Sequence, residues 1–161
     1  MSRILPILLV LFSLLIAACG PDYIQEERRA LPGGMAAGWA HADSIVWEIP
    51  IEDTSIVYDL SLRVEHSAEF PFENLYVNIG TFFPDDGYTS QPLSIPLADT
   101  YGGWLGDCSR GWCTREIPIQ QRAFFDRTGL YKISVAQFMR QDTMPRVRAL
   151  TFLRRRASPV L

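Results

Sequence analysis

Histidine and cysteine are scarce in this chain, with two of the first and three of the second among 161 residues. His41 and His66 lie in unrelated segments, so they do not supply the three or four ligands that zinc takes from a protein. There is no G-x-S-x-G elbow, no H-E-x-x-H pair and no Gly-rich phosphate loop leading into a helix. Serine hydrolysis, zinc peptidase chemistry and nucleotide binding therefore have no signature here. Long helical periodicity is missing, and so is any internal repeat. Positive charge is not in excess: 15 Lys and Arg stand against 18 Asp and Glu, a net charge of −3. That excludes nucleic acid as the expected partner. The one long apolar run, Ile4 to Ile16, is interrupted only by Pro6 and Ser13, and it falls short of the roughly 20 residues a membrane-spanning helix needs.

A run of that length behind the single positive charge of Met1-Ser2-Arg3 reads as the h-region of a signal peptide. Ile16-Ala17-Ala18-Cys19 follows. Small residues just before a cysteine resemble the bacterial lipobox, in which a diacylglyceryl thioether forms on the cysteine and the leader is cut off in front of it. On this reading residues 1–18 are removed, Cys19 is the first mature residue, and its covalent diacylglycerol and acyl lipid is the only attached group expected. One acyl chain binds a membrane marginally, whereas two or more hold it. Two other readings stand beside this one. Cys19 is incidental if the leader is an ordinary secretory signal, and the run is a transmembrane anchor if it continues, which Gly20-Pro21-Asp22 argues against. Gly20 is not the aspartate that commonly signals retention, so the outer membrane of the cell envelope is the expected location. Removing the leader takes away one basic residue and no acidic one, so the mature chain is slightly more acidic.

Cys108 and Cys113 remain, an even number in an exported protein. They bracket "CSRGWC", and cysteines facing each other across a tight hairpin lie within disulfide reach. An oxidising compartment favours the bridge. The closed loop is short, so the entropic gain is about 2 kcal/mol. A metal is not expected at this pair.

Residues 19–44 are rich in Gly, Ala and charge without clean periodicity and read as the lipidated N-terminus and a tether, onto which Tyr23 and Trp39 could dock. Period-two alternation then dominates. "SIVYDLSLRVEH" sets Ile56, Tyr58, Leu60, Leu62 and Val64 on one face and Val57, Asp59, Ser61, Arg63 and Glu65 on a mostly wet one, the mark of a half-buried strand. "SIVWEIPI", "NLYVNIGTF", "PLSIPL", "REIPIQ", "GLYKISVAQFMR" and "RVRALTFLRR" read as further strands, the prolines of "PLSIPL" favouring an edge. Turn chemistry separates them at "FPFEN", "FFPDDG", "DTYGG", "DRTG" and "DTMP". Seven or so short strands predict an all-β, antiparallel sandwich of jelly-roll type over residues 45–155, one domain, with 156–161 as a tail. A lipocalin-like closed barrel is the alternative.

The candidate chemistry is sparse. Asp85-Asp86 sit in a turn and lack the wider ligand spacing of a calcium loop. Glu65 and His66 are neighbours on a strand and point to opposite faces; His66 reads as a surface strand end, and Glu69 and Glu73 as solvated. Asp99 most simply caps a turn. Trp104, among glycines 102, 103 and 106, is either a core residue closing one end of the sandwich or, with Tyr101 and Trp112, a sugar-stacking platform. Arg140 is placed to hold a loop carboxylate such as Asp99 or Asp107. Asn74 is placed to bond the turn before its strand. The arginines 146, 148, 154, 155 and 156 form a basic C-terminal cluster, read as a solvated strand and tail or as a contact for anionic lipid or an acidic partner. No catalytic residue is identified.

Three stretches taken together resemble the GldH family of gliding-motility lipoproteins. "EFPFENLYVNI" matches one signature at Phe70, Pro71, Phe72, Asn74 and Leu75. "LADTYGGWLGDC" matches a second at Leu97, Ala98, Asp99, Gly102, Trp104 and Gly106. "GLYKISVAQFMR" matches a third at Gly129, Tyr131, Gln137, Met139 and Arg140. With the lipobox the resemblance spans residues 15 to 153. It implies a non-enzymatic lipoprotein, held to a membrane by its lipid, whose partners are other proteins of the gliding machinery and the associated type IX secretion pathway. The cysteines of "DCSRGWC" and the glycine-poor C-terminus depart from the family pattern. A carbohydrate-binding surface lipoprotein is the alternative function.

Overall fold

The structure is a computed structural model that describes residues 23–33 and 37–158; Cys19 and residues 159–161 lie outside them. The strands are β1 (Gln25–Ala30), β2 (Trp39–Ala40), β3 (Ser44–Ile51), β4 (Tyr58–Ser67), β5 (Asn74–Phe82), β6 (Tyr88–Pro96), β7 (Asp107–Ser109), β8 (Trp112–Ala123), β9 (Gly129–Gln137), β10 (Thr143–Met144) and β11 (Val147–Arg156). One sheet has the order β1-β11-β4-β8-β7 and the other β3-β9-β5-β6, with β2 and β10 as a separate pair. All pairings are antiparallel. The eight long strands thus fall into two four-stranded layers in the order of a jelly roll, with β5 and β6 adjacent in one of them. The sheets are open at their edges, so the molecule is a sandwich and not a closed barrel.

Alternation places the core where the sequence put it. Leu60, Leu62 and Val64 of β4 meet Leu75 and Val77 of β5, and Tyr131, Ile133 and Val135 of β9 lie across from Leu150 and Phe152 of β11, all buried. Trp47 of β3 packs on Phe152 with ring centroids 5.9 Å apart, and its indole N–H donates to the Glu27 carbonyl at 2.9 Å. Each such side chain taken out of water contributes about 1.5–3 kcal/mol.

The expected tether is shorter than read. "QEERRA" forms β1, paired residue for residue with β11 from Gln25 opposite Arg154 to Ala30 opposite Ala149. It is an edge strand with charged side chains on both faces, a usual way of keeping an edge from pairing further. Leu31 and Trp39 are also buried. At the other terminus β11 reaches Arg156, so the strand enters the expected tail. Arg154 turns inward, buried, and donates to the Pro50 carbonyl at 3.2 Å. The C-terminal arginines are therefore largely used within the fold.

The connections sort the molecule into two ends. Turns 52–57, 83–87 and 124–128, the start of β1 and the end of β11 lie at one end. Loops 31–43, 68–73, 97–106 and 138–146 and the β7–β8 turn lie at the other. The described chain enters at the first of these, which takes the name anchor end from the lipidation expected on the N-terminal side; the second is the far end. A strand of ten residues such as β4 separates them, or about 33 Å.

Candidate functional site

Most of the signature residues lie at the far end: Phe70 to Asn74 between β4 and β5, Asp99 to Gly106 between β6 and β7, and Gln137 to Arg140 at the exit of β9. Gly129 and Tyr131, which open the third stretch, lie at the anchor end, where the Tyr131 hydroxyl meets Asp126 and the Arg127 carbonyl. An aromatic stack joins the first two stretches. Trp104 meets His66 edge-on at 4.8 Å, His66 meets Phe70 at 5.7 Å, and Phe70 meets Phe72 at 5.7 Å. The Trp104 indole N–H donates to the Ala68 carbonyl at 3.0 Å. His66 is fully buried, not a surface strand end, because β4 continues inward one residue pair beyond Val64 and the aromatic loops close over it. Burial pushes its imidazole pKa below the ordinary value, opposed by its contact with the Ser67 carbonyl.

Asp99 shapes the second stretch. Its Oδ1 accepts from the Tyr101 and Gly103 backbone N–H groups at 2.9 and 2.8 Å. Gly102 has φ 81° in that turn. Gly106 has φ 96°, and a Cβ there would stand 2.3 Å from the Thr114 carbonyl oxygen, so only glycine fits both the angle and the approach. Asn74 opens β5 half-buried, but the carbonyl tying its turn is that of Glu73, which accepts from Leu97 and Ala98. Pro71 is exposed. Cys108 and Cys113 form a disulfide directly across the β7–β8 hairpin, whose turn residues Arg110 and Gly111 both take positive φ.

The third stretch builds a groove. The buried Gln137 amide donates to the Gln141 carbonyl at 2.9 Å and accepts from the Met139 N–H at 2.8 Å, which fixes the turn between them. Phe138 N–H donates to the Tyr76 carbonyl, and Tyr76 N–H to the Met139 sulfur. The result is a groove of about 710 Å3 lined by His41, Phe72, Tyr76, Phe138, Met139, Arg140 and Gln141. Arg140 is exposed there. It does not hold Asp99 or Asp107, because it lies on the outer side of the β5–β9 layer while Asp107 belongs to the edge of the other sheet and Asp99 is engaged in its own turn. The sequence signal for this groove was available: period two sets Tyr76 opposite Leu75 and Val77. The same alternation in "GLYKISVAQFMR" sets Phe138 on the outer face with Leu130 and Lys132; His41 carried no such mark.

The alternative reading, a sugar-stacking platform, is not assembled. Tyr101 stands free at 96% exposure, but the Trp104 indole is keyed to the core and the Trp112 ring is covered by the Arg148 guanidinium, 4.2 Å from its centroid. The two outer faces differ in kind. On the β1-β11-β4-β8 sheet, Glu26 pairs with Arg63 at 2.6 Å and Arg63 with Glu116 at 3.0 Å. Arg28 and Arg148 both pair with Glu65, at 2.6 and 2.8 Å. Glu65, expected on a wet face, is buried at 8% exposure, and the Arg28 guanidinium first, then Arg148, holds its carboxyl below the usual range against the effect of burial. Glu69, expected solvated, is exposed as read and pairs with Arg146. The other sheet's outer face carries the exposed Tyr76, Phe82, Tyr88, Leu130 and Phe138, and small residues such as Gly80, Ser90 and Ser134 between them. A second, larger cleft of about 740 Å3 opens between the sheets at the anchor end, where Asp85, Asp126 and Arg127 at its mouth are paired with one another.

A family model described as GldH lipoprotein matches residues 29–152. The chain is 25% identical over 130 residues to a gliding motility lipoprotein GldH homolog of Christiangramia forsetii, covering 80% of this chain and 76% of that one. It is 23% identical over 146 residues to the gliding motility lipoprotein GldH of Flavobacterium johnsoniae, covering 89% and 87%. Among solved structures, TmCBM61 in complex with beta-1,4-galactotriose aligns over 84% of this chain and 90% of that one, with 13% identity and a TM-score of 0.36, a similarity that carries no ligand across.

Proposed function

Since the chain belongs to the GldH lipoprotein family, we propose that it is a membrane-anchored, non-enzymatic component of the gliding-motility machinery and its associated type IX secretion pathway, acting through contacts with other envelope proteins. The names of its relatives support the motility role. Cys19 carries the lipid, and the outer membrane is the site of anchorage.

The observation that carries this reading is the separation of the two ends. Ile24 N–H already donates to the Arg154 carbonyl, so the fold holds the chain from that residue on. Five residue steps separate it from Cys19, and fully extended they span about 17 Å. That is half the length of the sandwich. The anchor end is therefore kept at the headgroup layer, while most signature residues, those of loops 68–73 and 97–106 and of Gln137 to Arg140, stand at the opposite end, presented to proteins and not to lipid.

Replacing Cys19 by Ser in the full-length gene tests the anchor. The variant is expected to leave the membrane fraction for the soluble one and to lose incorporation of labelled palmitate, with the disulfide and fold intact. Sedimentation with membranes equal to that of the unmodified protein contradicts it.

A further inference from the structure

We propose that the groove at Tyr76, Phe138 and Arg140 is the docking site for a partner protein's apolar segment that carries a carboxylate, received by Arg140. The proposal rests on the reading of this protein as one that works by contact, and it names the surface and the chemistry of the contact.

Three observations carry it. First, the charge in the groove is one-sided. No carboxylate lines it, and its ionisable members are His41 and Arg140. The arginines on either side in sequence are occupied: Arg127 by Asp85 and Asp126, Arg146 by Glu69, Arg148 by Glu65. Arg140 forms no ion pair among the described residues, although its planar fork of donors matches a carboxylate. Second, the walls are set before a ligand arrives. Gln137, 1% exposed, locks the Phe138–Gln141 turn through both ends of its amide, and Tyr76 is tied to that turn by its N–H and its carbonyl. A preorganised surface loses little side-chain and loop freedom on binding. Third, the composition and size fit a protein contact. Tyr76 and Phe138 are exposed at 45% and 54%, and aromatic, Met and Arg residues are the types enriched where interfaces are tight. The volume of about 710 Å3 holds a few side chains. The groove opens at the far end, away from the bilayer, where a protein segment has access.

The test pans a random peptide phage library against the full-length acylated protein in detergent micelles. Selected peptides are then measured on the parent protein, on Arg140→Gln and on Phe138→Ser. The expected result is enrichment of peptides with an Asp, Glu or terminal carboxylate next to aromatic or aliphatic residues, and a loss of at least about tenfold in affinity with either substitution. Both positions are exposed, and an unchanged melting temperature confirms that each variant is folded. Absence of enrichment, enrichment of peptides without an acid, or binding indifferent to both substitutions overturns the proposal. Polygalacturonate bound in an Arg140-dependent way while no peptide binds would assign the groove to acidic glycan and equally overturn it. Binding is read in detergent and does not depend on the anchor, so a negative result here leaves the Cys19→Ser outcome standing, and the reverse.

Discussion

A neutral imidazole lies at the centre of the far end. His66 has no exposed surface, its Nδ1 is 2.9 Å from the Ser67 carbonyl, and its Nε2 has no partner among the described residues. Nδ1 therefore carries the proton, and a second proton on Nε2 would be a buried, unpaired charge beside Trp104. Burial sets its folded pKa below the ordinary 6.5. The sign follows from linkage: below about 6.5 the unfolded chain binds a proton that the folded one refuses, so the unfolded state gains. Stability is full above that value and falls as the pH drops through and below it, until the folded pKa is reached. The loss approaches about 1.4 kcal/mol per pH unit. Carboxylates such as Glu65, ordinarily near 4.5 and lowered further in the fold, add their own loss only at more acid pH. Thermal melts from pH 7.5 to 5.5 are expected to show a falling melting temperature for the parent chain and a flatter profile for His66→Gln. Equal slopes would assign the dependence elsewhere.

At the scale of elements, β1 is the first strand of the described chain, and side chains on its neighbours clamp it. Arg28 and Glu26 reach over β11 to Glu65 and Arg63 of β4, and their register partners on β11, Thr151 and Leu153, are buried. Glu65→Gln breaks two ion pairs around a nearly buried carboxylate. Because both arginines are partly exposed, the expected cost is about 1–2 kcal/mol. Faster amide hydrogen exchange in β1 and β11 should accompany it. Glu48→Gln, whose pair with Lys132 is exposed and 3.7 Å long, is expected to change stability by less than about 0.5 kcal/mol. Parity between the two variants would remove the clamp from the account. The same strand marks what sequence reading could not reach. β4, β5 and β9 alternate apolar and polar residues because one face of each is core and the other is outside, and they were legible for that reason. β1 has no apolar alternation, since its register is specified by β11 and by ion pairs with residues some 37 positions away. His66 and Arg154 were misplaced for a related reason: what buries them comes from loops and strands distant in sequence. At the far end, the signature residues were readable as a set, and Asp99 as a turn cap was readable alone. That most of them meet on one end, and that Arg140 faces Tyr76 and Phe138 and not an acid, depended on the jelly-roll connections.

The whole molecule is a polar object, in the sense that its two ends have different tasks. In the proposed function a leash of about 17 Å fixes one end to lipid; the signature loops, the disulfide hairpin and the Arg140 groove occupy the other. Phe124, at 67% exposure, lies in the β8–β9 turn of the anchor end, and Tyr101, at 96%, lies in the β6–β7 loop of the far end. These two positions report the orientation directly. A bimane label carried on a cysteine at either position, in the full-length acylated protein reconstituted into vesicles, can be quenched by lipids bearing doxyl groups near the headgroup. The account predicts strong quenching at position 124 and none at position 101. Quenching at 101, or the absence of quenching at both positions in protein that floats with the vesicles, would contradict it.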